Sequence, residues 1–249
     1  MVARRVALAV VALAVAGLVG VGISVFGGLV PLADEELAGV GFVVKDGYVG
    51  IGVVDVGGGR LALVDAGNDP DAEALALAVG ARGRDLEDVA AVFLTHGHRD
   101  HVAAIPRLAH ARVYAMEPEA PFLAGEVAYR GPVVRLFGPG DPVRVTDLVR
   151  DGAAVTVGDR TFEGFHLPGH TAGSAAWLVD GVLFLGDNAT IDAEGRLRPA
   201  PWVFSDDTAQ NRASLRALAE RVEGRDVRRL VPSHSGSHAG AAPLLAFPG

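Results

Sequence analysis

Between Thr95 and His101 the chain reads Thr-His-Gly-His-Arg-Asp-His, which places three histidines and an aspartate within six residues. This run follows the apolar stretch Ala90–Leu94, which reads as a buried strand, and precedes a helical pattern over residues 102–109 that Pro106 shortens or kinks. Imidazole nitrogens suit zinc and other transition metals, and a carboxylate adds a hard oxygen ligand. Gly97 gives the loop between the histidines torsional freedom. A single histidine in a core is unremarkable, but four donors at this density are hard to explain by packing. His96, His98, Asp100 and His101 are therefore read as the heart of a metal site. Any fold for this chain must present that loop at a strand end, facing other donors.

The remaining elements show how such a fold could be built. Short apolar runs bounded by glycine turns predict strands over residues 40–44, 48–56 and 61–64. A helix is expected from Asp69-Pro70-Asp71 through Val79, followed by a turn or short helix at 85–88. A strand follows over 113–116. Residues 117–150 hold Pro118, Pro121, Pro132, Pro139 and Pro142 and read as an irregular excursion, with a short helix near Pro121–Tyr129. Such a stretch either lines a substrate pocket or is a plain surface loop. Strands resume over 154–157, 161–167, 175–179 and 182–185. A helix over about 207–222, capped by Ser205 or Asp206, precedes a last strand over 227–231. Strands, helices, strands and a helix in this order fit an α+β arrangement of two sheets with helices packed outside them.

With these elements placed, the metal motif and the segments C-terminal to it resemble the metallo-β-lactamase superfamily. His-x-His-x-Asp-His after a strand is followed by Pro168-Gly169-His170, by Leu185-Gly186-Asp187 at a strand end, and by Val231-Pro232-Ser233-His234. Val64-Asp65-Ala66-Gly67 matches an early strand end of that family. The likeness runs over about residues 38–238. It implies a four-layer αββα sandwich over residues 34–249 with a two-metal hydrolytic centre in a cleft at one edge. His96, His98 and His170 would hold the first metal, and Asp100, His101 and His234 the second. Asp187 would be shared between them. The implied cofactors are two divalent ions, zinc first, with manganese or iron as alternatives. The implied chemistry uses a bridging hydroxide to cleave an ester, thioester, lactone or amide bond in a small molecule. Asp100 would orient the water or pass a proton to the leaving group.

Several side chains receive lesser roles. Asp65 is expected to support the ligand loop by hydrogen bonding, and Thr171 and Ser174 to fix the turn around His170. His110, His166 and His238 are read as surface or locally bonded. Trp177 and Trp202 are read as core or pocket wall.

Composition narrows the function further. The chain has 249 residues and no cysteine, so a Cys-ligated β-lactamase site is excluded. The net charge is −8, and residues 33–249 carry −10, because residues 1–32 contain two arginines and no acid. No basic stripe is present, which argues against a nucleic-acid partner. Only 15 residues follow His234, so the C-terminal helical domain with which hydroxyacylglutathione hydrolases hold glutathione is not expected. Other readings of the site are a phosphodiesterase, an iron-dependent oxidoreductase resembling persulfide dioxygenases, and a non-catalytic metal-binding module of the cell envelope. Metal content together with ester and thioester turnover separates them.

The N-terminus makes a separate statement. Arg4 and Arg5 precede 27 uncharged residues, Val6–Leu32, enough for a membrane-spanning helix. Residues 1–33 are therefore expected to be a membrane anchor or a cleaved signal segment of a bacterial protein. The arginines before the run and Asp34, Glu35 and Glu36 after it place the domain outside the cytoplasm. Oligomeric state is not legible in the sequence.

Overall fold

Each apolar run in the first half becomes a strand of one sheet. The computed structural model describes Gly20, Gly22, residues 25–138 and residues 140–248. The strands are β1 (Glu35–Leu37), β2 (Gly41–Asp46), β3 (Val49–Asp55), β4 (Leu61–Val64), β5 (Val89–Phe93), β6 (Arg112–Met116) and β7 (Asp147–Val149), paired in that order. Neighbours are antiparallel from β1 to β4 and parallel from β4 to β7. Connection length explains the switch. A tight turn at Gly47 closes the β2–β3 hairpin, whereas α1 (Glu73–Gly80) lies between β4 and β5 and lets the chain return in the same direction.

The second half repeats the plan with a different order. It contains β8 (Ala154–Val157), β9 (Arg160–His166), β10 (Ala175–Val179), β11 (Val182–Gly186), the hairpin β12 (Ala189–Ile191) and β13 (Leu197–Pro199), then β14 (Arg229–Pro232) and β15 (His238–Ala239). The sheet order is β15-β14-β11-β10-β9-β8, with β11 and β14 parallel.

Three apolar layers hold the two sheets and their helices together. Val54, Val64, Phe93, Phe162, Trp177 and Phe184 fill the space between the sheets. Leu75 and Val79 of α1 pack on Leu63 and Val92 outside the first sheet. Leu215, Leu218 and Val222 of the long helix Thr208–Val222 pack with Phe165 and Leu183 outside the second. This is the expected αββα sandwich. Both faces of the central strands are covered, so β4, β5, β10 and β11 read as apolar runs without alternation.

Several local expectations are corrected. The helix expected over 102–109 is split into α2 (Arg99–Val102) and a 3₁₀ turn at Ile105–Leu108, because Pro106 cannot continue an α-helix. The helix expected near Pro121–Tyr129 is only α3 (Ala120–Leu123). The excursion is not a plain loop, since it contributes β7 to the first sheet and buries Leu123 and Tyr129. Neither Ser205 nor Asp206 caps the long helix, now α4. Asp207 does, accepting from Gln210 N at 2.9 Å. Asp206 instead accepts from the backbone of Arg130 and Gly131 and so pins the excursion to the second sheet's loops. A last short helix, α5 (Ala242–Leu245), packs against α4.

The expected N-terminal membrane segment lies largely outside the described residues. Among the described residues no helix is long and apolar enough to cross a membrane. The end of the apolar run does not belong to a span. Val25 and Phe26 are helical, Gly27 and Gly28 turn the chain, and Leu29 forms an isolated β-bridge, with residues 30–32 following outside any helix or strand. Val30 donates to Ile191 O at 2.9 Å and accepts from Gly236 N at 2.8 Å, while Leu29 bridges to Asp192. Residues of β12 and the loop after β14 thus supply the backbone partners that a membrane helix would find within itself.

Candidate metal centre

All seven predicted ligands come from loops that leave strand ends at one edge of the sandwich. His96 and His98 follow β5, with Asp100 and His101 on the first turn of α2. His170 follows β9, Asp187 follows β11, and His234 follows β14. The structure gathers them into two groups, His96, His98, His170 and Asp187, and Asp100, His101 and His234, each with its donor atoms within 4.8 Å of one another.

The contacts between these donors bring ring nitrogens and carboxylate oxygens close together around two points. His170 Nε2 lies 3.1 Å from both His96 Nε2 and His98 Nδ1. Asp187 faces both groups. Its Oδ2 is 3.5 Å from His170 Nε2 and 3.1 Å from His234 Nε2, and its Oδ1 is 3.3 Å from His101 Nε2. Asp100 Oδ2 lies 3.4 Å from His234 Nε2 and 3.8 Å from His101 Nε2. His101 Nε2 and Asp187 Oδ1 are buried without a hydrogen-bond partner. Three imidazoles converging on one point, together with orphaned buried donor atoms, fit a pair of divalent cations.

The other ring nitrogens are already engaged, which fixes the face each histidine presents. His101 Nδ1 is 2.8 Å from Asp65 Oδ2, and His234 Nδ1 is 2.8 Å from the Tyr48 carbonyl. His170 Nδ1 meets Ser205 Oγ at 3.2 Å, and His96 Nδ1 meets Thr95 Oγ1 at 3.1 Å. Each leaves Nε2 for the site, whereas His98 turns Nδ1 inward. Such partners orient metal ligands and raise their basicity. Asp65, which sits at φ +63, also accepts from Thr95 N and Oγ1, so it joins both ends of the ligand loop. Its expected supporting role is the one the contacts describe. Thr171 and Ser174 likewise bond each other, at 2.7 Å, in the turn around His170.

Sequence reasoning missed Glu119. This carboxylate is 1% exposed and accepts from Gly97 N, Tyr129 Oη, Thr171 Oγ1 and Gly173 N at 2.8–2.9 Å. It clips the His96–His98 loop, the His170 loop and the excursion together. Burial pushes its pKa up, although all four donors pull it back. Nothing local marked it, because its partners lie 10–54 residues away. Of the remaining histidines, His166 bonds the Ala172 carbonyl, His110 is exposed beside Glu87, and His238 sits on the edge strand β15. Trp177 is core and Trp202 is half exposed.

Charge is unevenly shared between the two groups. Burial and neighbouring imidazoles hold His96 and His98 well below the usual histidine range. Burial is also the largest influence on His170, whose pKa falls to about 4. In the other group burial acts in the same direction but is outweighed. The carboxylates of Asp187, Asp65 and Asp100 raise His101, and Asp187 and Asp100 raise His234 to about 10. Asp100 falls to about 2, because His101 and His234 outweigh its burial.

These shifts set a pH dependence for the metal-free protein. A histidine whose folded pKa is raised lends stability that is complete below its unfolded value near 6.5. That stability is lost as pH rises through the folded value. The metal-free protein should therefore lose melting temperature between about pH 6.5 and 10. Zinc affinity should rise over the same interval as the competing protons leave. Calorimetric melting and chelator competition across that range check both signs. A melting temperature that climbs with pH would contradict the assignment.

Comparison with known proteins agrees with the geometry. Residues 45–234 match the family model of the metallo-beta-lactamase superfamily. The chain belongs to that superfamily, and its two His/Asp groups are of a composition that could hold metal ions. Over 131 residues it is 29% identical to a hydroxyacylglutathione hydrolase of Yersinia pestis (strain Pestoides F), covering 52% of this chain and 44% of that protein. Over 170 residues it is 33% identical to a hydroxyacylglutathione hydrolase of Fuscovulum blasticum, covering 66% and 54%. The chain thus spans about half the length of the curated relatives it matches. Among solved structures it resembles a B3 metallo-β-lactamase described as having an active-site glutamic acid, with TM-score 0.67, 24% identity, and 88% and 87% of the two chains covered. It also resembles a metallo-β-lactamase family protein of Thermus thermophilus, with TM-score 0.59, 25% identity, and 85% and 73% covered.

Proposed function

We propose that the protein is a two-metal hydrolase that cleaves an ester, thioester, lactone or amide bond in a small molecule, with zinc as the metal. The observation that carries this reading is the position of Asp187, whose carboxylate reaches both donor groups: Oδ2 lies 3.5 Å from His170 Nε2 and 3.1 Å from His234 Nε2, and Oδ1 lies 3.3 Å from His101 Nε2. His96, His98 and His170 would hold one ion, Asp100, His101 and His234 the other, with Asp187 common to both. When bound, such ions lower the pKa of water and polarise a carbonyl oxygen. The chain's residues supply the rest. Asp65, Ser205 and the Tyr48 carbonyl hold the imidazoles in one orientation, so that the site needs little rearrangement during reaction. Asp100 lines the cleft, placed to orient the attacking water or to pass a proton to the leaving group.

The relatives named as hydroxyacylglutathione hydrolases support a thioester among the substrates to be tried first. The test is turnover of ester, thioester, lactone and amide panels by the full-length protein loaded with zinc, manganese or iron, with metal content measured in parallel. Two ions per chain, hydrolysis, and inactivity of His98→Ala are expected. Asp100→Asn should weaken the second ion and lose most turnover even when excess zinc restores two ions per chain. Metal bound without hydrolysis of any panel member would overturn the reading. The uncharged residues 6–24, which precede the segment packed on the domain, support an N-terminal membrane segment with the hydrolase domain outside the cytoplasm. Protease accessibility in intact cells and spheroplasts tests that placement.

A further inference from the structure

The described end of the N-terminal apolar run forms part of the cleft that leads to the metal centre. This cleft measures about 1710 Å³ and reaches His98, Asp100, Asp187 and His234 at its floor. Small-molecule sites commonly occupy about 300–1,000 Å³, so the space extends well past the reacting atoms. Its lining includes Phe26, Leu29 and Leu32 from the N-terminal segment and Phe122, Val134 and Phe204 from later in the chain. Phe26 packs beside Phe204, their ring centroids 6.2 Å apart. All six of these apolar side chains keep solvent exposure, and Phe26 is 51% exposed.

The N-terminal part of this lining is built in rather than draped over the domain. Val25 is buried, and Gly27 O accepts from Arg198 Nη1 at 3.0 Å. Gly28 O accepts from Ala193 N at 2.8 Å, and Val30 bonds on both sides. Arg198 is itself paired with the buried Asp192, which Arg196 also holds. The charged side chains that line the cleft away from its floor, Lys45, Arg99, Asp141 and Arg144, are all exposed and sit at the rim.

We infer that residues 25–32 form a specificity-determining wall, and that the cleft takes a substrate with a linear fatty-acyl chain. The chain lies along this wall and Phe122, Val134 and Phe204, with the acyl carbonyl at the metal centre. Three observations point to this occupant rather than to a compact polar one. Volume is available beyond the reacting centre, and these six lining side chains are apolar. Charge is confined to the floor and the rim, so a polyanionic group seated midway would lose hydration without a partner. This inference rests on the hydrolase reading above. For an ester, water adds its oxygen to the acyl carbon, the acyl–oxygen bond breaks, and the alcohol leaves with a proton, giving a fatty acid.

The test uses zinc-loaded full-length protein and p-nitrophenyl esters from acetyl to dodecanoyl, kept below their micellar concentrations. Burying each added methylene should raise kcat/KM about two- to fourfold until the cleft is filled. In the double variant Phe26→Ser, Leu29→Ser the ratio of decanoyl to acetyl kcat/KM should fall at least about tenfold, while zinc content stays at two per chain. Leu77→Ser, on the exposed face of α1, should leave the ratio unchanged. Calorimetric titration with hexanoate and dodecanoate gives a readout independent of turnover. Dodecanoate should bind at least about tenfold tighter, and the double variant should lose that preference. Ester hydrolysis with no dependence on chain length would overturn this inference and leave the hydrolase reading intact. Tight dodecanoate binding without hydrolysis would do the reverse. A ratio that is unchanged in the double variant would remove residues 25–32 from specificity.

Discussion

Asp187→Ala is expected to reduce bound zinc from two ions per chain to one or fewer, and to lower turnover by at least about 10²–10³-fold, the cost of removing one charge-stabilising group. The carboxylate is the only negative charge that touches both donor groups among the described residues. With it gone, His96, His98 and His170 still converge, since their 3.1 Å approaches are set by the loops after β5 and β9. The second group suffers more. His234 keeps Asp100, but both it and His101 lose the carboxylate that does most to raise their pKa. Elemental analysis of dialysed protein, with circular dichroism to confirm folding, checks the result. Two retained ions with wild-type turnover would sink the shared-carboxylate assignment.

Gly169→Ala should be the more damaging change to stability. Gly169 has φ +137, a conformation that L side chains rarely adopt, and an added Cβ would lie 2.1 Å from Asn211 N and 2.4 Å from its Cα. These are backbone atoms of α4, and Asn211 is anchored there by bonds to Ala200 N and the Asn188 carbonyl, so no flexible side-chain tip can yield. Backbone strain and overpacking together cost about 3 kcal/mol or more. For a domain of this size that corresponds to a melting temperature lowered by roughly 6–12 °C. Because His170 is the next residue, zinc affinity should fall as well. Differential scanning calorimetry and chelator competition read the two effects separately. A variant that melts within a degree of wild type and binds zinc normally would show that the Gly169–α4 contact is looser than described.

Both predictions concern residues that are conspicuous in the amino-acid sequence, and that legibility has a physical basis. Metal-binding side chains are chemically distinctive, and the dense His96–His101 cluster at a strand end was legible by itself, whereas His170, Asp187 and His234 were singled out through the resemblance to the metallo-β-lactamase superfamily. The sandwich was legible for a related reason. Central strands covered on both faces must be apolar throughout, and the turns between them need glycine.

What escaped depends on contacts between distant residues. Asp206 looked like a helix cap but bonds the backbone of Arg130 and Gly131, more than 70 residues away, while Asp207 does the capping. Glu119 was one acid in a proline-broken stretch until folding placed four donors around it. Hydropathy alone cannot tell an apolar stretch that enters lipid from one that packs on protein. Leu29–Leu32 therefore read as the end of a membrane segment, yet they bond to the β12 hairpin and the loop after β14. The His96–His101 cluster and the layered fold are written in the primary structure, because they rest on local pattern and on the chemistry of single side chains. Which ring nitrogen each histidine offers, what braces the ligand loops and which residues wall the cleft emerge only in three dimensions, because each requires two separated segments to meet.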